Sequence, residues 1–162
     1  MISTNYHVLF LCTGNSAGSF PRGEIHPAAL NLLRGLDHPI DHLRSKSWDE
    51  FAGPSAPQID FIVTVCDNAA AETCPIWPGQ PMTVRWGLPD PAAVEGSDDD
   101  IAQAFSFTYH LLSNQISAFI QLAIDSFDKA ELLSQLVVID PSIARSTQDA
   151  FKSCHSLICD DG

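Results

Sequence analysis

Val8-Leu9-Phe10-Leu11-Cys12-Thr13-Gly14-Asn15-Ser16 is the stretch that decides the fold, because an apolar run leads directly into a turn of small and polar residues. Such a run, taken from His7 to Leu11, is typical of a strand buried on both faces of a parallel sheet. The turn that follows can present successive backbone N–H groups as an anion-binding nest. We therefore predict that Cys12 opens a loop at the carboxyl end of a strand.

The chemistry predicted for Cys12 is nucleophilic attack on an oxyanion. Nearby N–H groups favour the thiolate, which is the reactive form of cysteine. A lone cysteine is otherwise often a small residue of the core, and this is the alternative for Cys12. The residues predicted to hold the oxyanion through the nest are Thr13, Gly14, Asn15, Ser16 and Ala17.

Two more thiols follow a second predicted strand, Phe61 to Val65. Cys66 comes directly after this strand, and Cys74 lies eight residues further on. That spacing is wider than the spacing of a zinc knuckle, and no matching Cys/His pair occurs elsewhere, so neither a metal nor another cofactor is expected. Thiol–disulfide exchange requires an accessible attacking thiolate. We predict a redox pair, the alternative being two core thiols or half of a zinc site.

The remaining elements indicate an α/β domain. A helix is predicted over Pro27 to Gly35, a strand over Met82 to Trp86 and a helix from Ser97 to about Gln121. A one-turn helix capped by Ser47 and a helix from Asp128 to Val137 complete the list. Strands alternating with helices predict a three-layer α/β/α fold with a parallel sheet, whose ligands bind at the carboxyl ends of the strands. Residues 1–139 are predicted to form this domain, and residues 140–162 a poorly ordered tail.

Composition limits the partners and the compartment. The chain has 162 residues and a net charge of −12, which argues against nucleic acid and anionic membranes as partners. No stretch approaches the roughly 20 apolar residues of a membrane span. The polar N-terminus shows no export signal, and five cysteines without one fit a reducing cytoplasm.

Several motifs, in order along residues 7 to 137, resemble those of the thioredoxin-coupled arsenate reductases, which share the low-molecular-weight tyrosine phosphatase fold. They are Val8 to Ser16, the Ser-Lys-Ser around Lys46, Val63-Thr64-Val65-Cys66-Asp67, Cys74-Pro75, Pro78-Gly79 and Trp86-Gly87-Leu88-Pro89-Asp90-Pro91-Ala92.

The resemblance implies a cysteine relay. Cys12 attacks arsenate, Cys66 attacks the Cys12–arsenic adduct and releases arsenite, and Cys74 then attacks Cys66. The resulting Cys66–Cys74 disulfide is reduced by thioredoxin. Asp90 matches the general acid of the family, although a turn-forming aspartate between prolines is the alternative. The activity implied is the reduction of arsenate to arsenite, and the biological role implied is arsenic detoxification.

One motif departs from the family pattern. The family loop has an arginine at the sixth position after its cysteine, and here that position is Gly18. In the family pattern, a helix and a strand separate this loop from a later Ser-Ala-Gly turn. Here Ser16-Ala17-Gly18 joins the start of the loop directly to the end of that turn. A segment of roughly 25 residues, one helix and one strand, is therefore expected to be missing. A guanidinium holds an oxyanion in bidentate geometry, so its loss is expected to impair activity. Arg22 is a candidate substitute cation, the alternative being a solvated side chain.

Two other functions remain open from the residues alone. A phosphatase-type hydrolase of phosphate monoesters would use Cys12 and Asp90 but would not need Cys66 and Cys74. A non-catalytic protein that binds arsenate or phosphate would follow from the loss of the arginine. Cys154 and Cys159 lie outside the part of the chain that resembles the family. They form a second redox pair or, as the alternative, are thiols without a function.

Overall fold

The structure is a computed structural model that describes residues 5–12, 17–18, 23–53, 55–65 and 77–140. Its strands are β1 Val8–Leu11, β2 Ala17–Gly18, β3 Lys46–Ser47, β4 Phe61–Thr64 and β5 Met82–Arg85. All neighbouring strands pair in parallel, in the order β3-β2-β1-β4-β5. The helices are α1 Pro27–Gly35, α2 Asp98–Ile120 and α3 Lys129–Val138. The predicted α/β class and parallel sheet are confirmed, and the three longer strands match their predictions to within one residue at each end.

The short strand β2 shows how the shortened loop is accommodated. Ala17 pairs with Leu11, the last residue of β1, and Gly18 lies beyond it. Parallel neighbours ordinarily need a connection of a dozen or more residues, because the chain must return to the opposite edge of the sheet. Here β2 begins beside the end of β1, so residues 12–16 suffice. The position of the strand expected to be missing is thus occupied by two residues, which also pair with β3.

One face of the sheet packs against the two long helices. Trp86 and Leu136 are fully buried in this cluster, and Phe119 contacts both Trp86 and Phe61 edge-to-face. Its buried members come from β4, the β5 region, α2 and α3: Phe61, Val63, Val84, Trp86, Phe119, Leu132 and Leu136.

The opposite face packs against Trp48 and Trp77. Trp48 belongs to a 3-10 helix, Trp48–Phe51, which the Ser47 hydroxyl caps by accepting a hydrogen bond from the Asp49 N–H at 3.2 Å. The buried members of this second cluster are Leu9, Leu11, Trp48, Ile59, Ile62 and Trp77. Alternate residues of β1 and β4 therefore face two separate cores, as a strand buried on both sides requires.

Local capping explains where the helices begin. At α2, the Ser97 hydroxyl accepts from the Asp100 N–H at 3.2 Å, and the Asp100 carboxylate accepts from the Ser97 N–H at 2.9 Å. Hydrogen bonds from the Ser97 hydroxyl and N–H lower the pKa of Asp100, because they favour the charged carboxylate. Asp128 and Glu131 form the equivalent capping box at α3. Both starts match the predictions to within one residue.

A cavity remains where β1 meets the end of α2. It has a volume of about 900 Å³ and is lined in part by Tyr6, Val8, Phe10, Ile116, Phe119 and Ile120. The side chains of Val8 and Phe10 are accordingly only half-buried. This part of the sheet face is less well covered than the part beneath α3.

Truncation of Leu136 tests whether α3 is part of the core. We expect Leu136→Ala to lower the free energy of unfolding by about 2–5 kcal/mol, because a fully buried side chain leaves a cavity. The matched control is Leu133→Ala on the same helix, whose side chain is 40% exposed and whose loss should cost under about 1 kcal/mol. Urea denaturation measures both, and equal losses would contradict the docking of α3 on Trp86.

Candidate functional site at the carboxyl edge of the sheet

The ladder between β1 and β4 aligns the strand ends that precede Cys12 and Cys66 in the sequence. Leu11 pairs with Thr64, and the Val65 N–H donates to the Leu11 carbonyl at 2.9 Å. Leu11 directly precedes Cys12, and Val65 directly precedes Cys66. Adjacent strands lie about 4.8 Å apart, so Leu11 and Val65, the residues before the two cysteines, are neighbours at one edge of the sheet.

Cys12 itself lies half-buried immediately after β1. If Cys12 were a residue of the core, its thiol would be enclosed within one of the two hydrophobic clusters. Cys12 is a member of neither cluster. Its position at the end of a central parallel strand is where α/β sheets bind ligands. Cys12 therefore directly follows β1 and is half-buried, and its role as the nucleophile stays a prediction.

The loop after β5 is fixed against this edge. The Trp86 N–H donates to the Thr64 carbonyl at 2.8 Å, and the Leu88 N–H donates to the Val65 carbonyl at 3.1 Å. The Thr108 hydroxyl of α2 donates to the Pro89 carbonyl at 3.4 Å. The loop that carries Asp90 is thus anchored to the end of β4 and to α2, through the residues just before Asp90.

Asp90 is exposed and begins a short 3-10 helix, Pro91–Ala93. Its Oδ1 atom accepts a hydrogen bond from the Ala92 N–H at 2.9 Å. The structure therefore shows the turn-forming role that the sequence left as an alternative. The second carboxylate oxygen takes no part in this bond, and acid catalysis by Asp90 stays a prediction.

Asp140 was assigned from the sequence to the start of the tail, yet its side chain is 7% exposed. Its Oδ2 atom accepts from the Gly87 N–H at 3.3 Å, one residue beyond Trp86. The Trp86 indole N–H meanwhile donates to the Leu136 carbonyl at 3.1 Å. The end of α3 is therefore attached to the loop of Asp90, a link that no local sequence signal reveals because the partners are 53 residues apart.

Among the basic residues that the structure describes, Lys46 is the half-buried one, whereas Arg34, Arg44, Arg85 and Lys129 are exposed. Lys46 pairs with Ala17, which pairs with Leu11, so the three residues lie in one row of the sheet. Arg44 binds Glu50 at 2.5 Å; this hydrogen bond lowers the pKa of Glu50 and raises the pKa of Arg44. The arginine absent from the loop is thus not replaced by Arg44.

Other predicted site residues lie outside the described residues. These are Thr13, Gly14, Asn15, Ser16, Arg22, Cys66 and Cys74, together with the tail from residue 141. Ala17 is described as part of β2, and its contribution to the nest stays a prediction. No helix in the described ranges combines the length and apolar character needed to cross a membrane.

Known proteins with sequences similar to this chain include several arsenate reductases. No family model matches the chain. An arsenate reductase of Halalkalibacterium halodurans is 28% identical over 134 residues, covering 69% of this chain and 93% of the relative. An arsenate reductase of Bacillus subtilis is 24% identical over 133 residues, covering 71% and 95%. The chain is thus similar to arsenate reductases over nearly their whole length.

A solved structure that is similar to this chain is the Corynebacterium glutamicum thioredoxin-dependent arsenate reductase. It has a TM-score of 0.42 and 21% sequence identity, and the match covers 72% of this chain and 65% of that one.

Removal of the Asp140 carboxylate tests the attachment of α3 to the Asp90 loop. We expect Asp140→Ala to lower the free energy of unfolding by about 1–3 kcal/mol, because it deprives a part-buried N–H of its acceptor. Asp140→Asn keeps an oxygen acceptor and should lose less. The control is Asp41→Ala at an exposed turn, with a change within about 0.5 kcal/mol. Thermal and urea unfolding measure the series, and an Asp140→Ala variant as stable as the control would contradict the attachment.

Proposed function

We propose that the chain reduces arsenate to arsenite through Cys12, Cys66 and Cys74, with reducing equivalents from thioredoxin or a similar dithiol. The observation that carries the proposal is the hydrogen bond from the Val65 N–H to the Leu11 carbonyl at 2.9 Å. This bond holds Leu11, which precedes Cys12, beside Val65, which precedes Cys66, at one edge of the sheet. Relatives named arsenate reductase, matched over 93–95% of their length, support the same reaction.

The proposed steps balance in electrons. The Cys12 thiolate displaces an oxygen of arsenate as water, with a proton from Asp90. The Cys66 thiolate then attacks the Cys12 sulfur, and the electron pair of the sulfur–arsenic bond remains on arsenic, which leaves as arsenite. Cys74 attacks Cys66 and releases the Cys12 thiolate, leaving a Cys66–Cys74 disulfide. An external dithiol reduces this disulfide, so two thiols supply the two electrons.

The oxyanion is held in this proposal by the backbone N–H groups of the 13–17 loop. Phosphate has the same tetrahedral oxygens and is expected to compete. Loss of the family arginine removes a bidentate donor, and the loss of one preorganised donor typically slows a reaction about 10²–10³-fold. We therefore propose a slow enzyme rather than an inert one. Because its thiols must be kept reduced, the proposed compartment is the cytoplasm.

Substitution of the nucleophile tests the mechanism. We expect Cys12→Ser to abolish arsenate reduction in an assay with thioredoxin, thioredoxin reductase and NADPH, because a serine oxygen cannot form the disulfide with Cys66 that leaves two electrons on arsenic. Cys74→Ser should abolish steady-state turnover, yet leave hydrolysis of p-nitrophenyl phosphate unchanged if any is present. Thermal unfolding of both variants serves as the folding control. Reduction that persists in Cys12→Ser excludes the mechanism, and phosphate-ester hydrolysis without arsenate reduction supports the phosphatase alternative.

Two substitutions at Asp90 separate its two roles. Asp90→Asn retains an oxygen that can accept from the Ala92 N–H but cannot deliver a proton at neutral pH. We expect it to lower kcat by about 10²–10⁴-fold with an unchanged unfolding midpoint. Asp90→Ala should lower both kcat and the midpoint. If Asp90→Asn reduces arsenate at the original rate, Asp90 serves only as a turn cap.

A further inference from the structure

We propose that Asp140 is a positioning residue for Asp90, the predicted general acid. The inference rests on the proposed function, in which Asp90 gives a proton to the leaving oxygen of arsenate. Its structural basis is a buried carboxylate beside the loop of the acid. Asp140 is 7% exposed, and its Oδ2 atom accepts from the Gly87 N–H at 3.3 Å. Burial of a charged group is costly unless hydrogen bonds compensate for it, so this bond is central to the role of Asp140.

Gly87 lies where the sheet offers no neighbouring strand as a partner. β5 is the last strand in the order of the described sheet, and β4 is its neighbour. The Trp86 N–H donates to β4 at 2.8 Å, and the Leu88 N–H donates to the residue after β4 at 3.1 Å. Because N–H groups alternate in direction along an extended chain, the N–H between them points away from β4. Asp140 supplies the acceptor that a further strand would otherwise supply.

The position of Asp140 is fixed by the docking of α3 on the core. The Leu136 carbonyl accepts from the Trp86 indole N–H at 3.1 Å, and Leu136 is fully buried. The Asp140 N–H donates to the Val137 carbonyl at 3.0 Å, which holds Asp140 in the turn that ends the helix. The acceptor for Gly87 therefore belongs to a packed helix end, which makes it a firm support for the loop.

The support acts close to the predicted acid. Two residues separate Gly87 from Asp90. The carbonyl just before Asp90 accepts from the Thr108 hydroxyl at 3.4 Å, which is longer than an ordinary O–H···O bond. The bonds of Gly87 and Leu88 therefore contribute most of the restraint on the start of the loop. A proton donor must stay within hydrogen-bond reach of the atom it protonates, so a looser loop lowers the rate of the chemical step.

A double-mutant cycle on arsenate reduction tests the proposal. We expect Asp140→Ala to lower kcat by about 10–10²-fold with KM within about twofold, and Asp140→Asn, which keeps an oxygen acceptor, to recover most of the rate. In an Asp90→Asn background, Asp140→Ala should have no further effect, because the acid that it positions is gone. A purely structural role would lower kcat by the same factor in both backgrounds, and that result overturns the proposal.

Two control variants separate positioning from a loss of stability. Asp41→Ala removes an exposed carboxylate at a turn, and Ile59→Val shortens a buried side chain on the opposite face of the sheet. Both should keep the unmodified kcat, although Ile59→Val lowers the unfolding midpoint. A kcat that falls with the midpoint in Ile59→Val would assign the Asp140 effect to stability and overturn the proposal. Asp140→Ser takes the place of Asp140→Ala if the alanine variant does not fold.

Amide exchange followed by NMR gives a readout without arsenate. The Ala92 N–H donates to the Asp90 carboxylate at 2.9 Å, and the Asp49 N–H donates to the Ser47 hydroxyl at 3.2 Å on the opposite face. We expect Asp140→Ala to speed exchange at Ala92 several-fold and to leave exchange at Asp49 unchanged. Unchanged exchange at Ala92 overturns the proposal even if the chain reduces arsenate. Faster exchange in a chain that reduces no arsenate supports the positioning and refutes the proposed function instead.

Discussion

The parallel pairing of β1 with β4 is the constraint on which the rest of the structure depends. Four residues on each strand are in register, and the ladder continues past them to the bond between the Val65 N–H and the Leu11 carbonyl. Each strand contributes side chains to both hydrophobic clusters, so the pairing cannot shift by one residue without exchanging the two cores. The site inherits its geometry from this register, because Cys12 is the next residue along β1.

The helices stabilise the same edge from one side. Trp86 connects them, because its ring packs against Phe119 of α2 while its indole N–H is satisfied by the Leu136 carbonyl of α3. A fully buried tryptophan needs such a partner, since an unpaired N–H in the core is costly. The residues that follow Trp86 form the loop of Asp90, so this core side chain lies directly before the loop that carries the predicted acid.

The short loop after Cys12 shows how a reduced fold can keep its sheet. Because Ala17 enters beside Leu11 rather than at the opposite edge, no crossover helix is needed, and β3 still finds a neighbour. On the face toward α2, the half-buried Val8 and Phe10 lie beside a cavity of about 900 Å³. The expected cost at the candidate site is electrostatic. The sequence has Gly18 at the position where the family pattern has an arginine, so the positive charge of that guanidinium is lost.

The sequence by itself determined the elements that depend on short-range interactions. The apolar runs of β1, β4 and β5, the caps at Ser47, Ser97 and Asp128, and the thiol after the first strand are all encoded within a few residues of one another. The α/β class followed from their alternation, and the resemblance to arsenate reductases from the order of the motifs. Tertiary structure alone decided the register of β2, the burial of Asp140 and its bond to Gly87. These features join residues far apart in the chain, and their energy arises only when the sheet and helices have assembled, so no local pattern reports them.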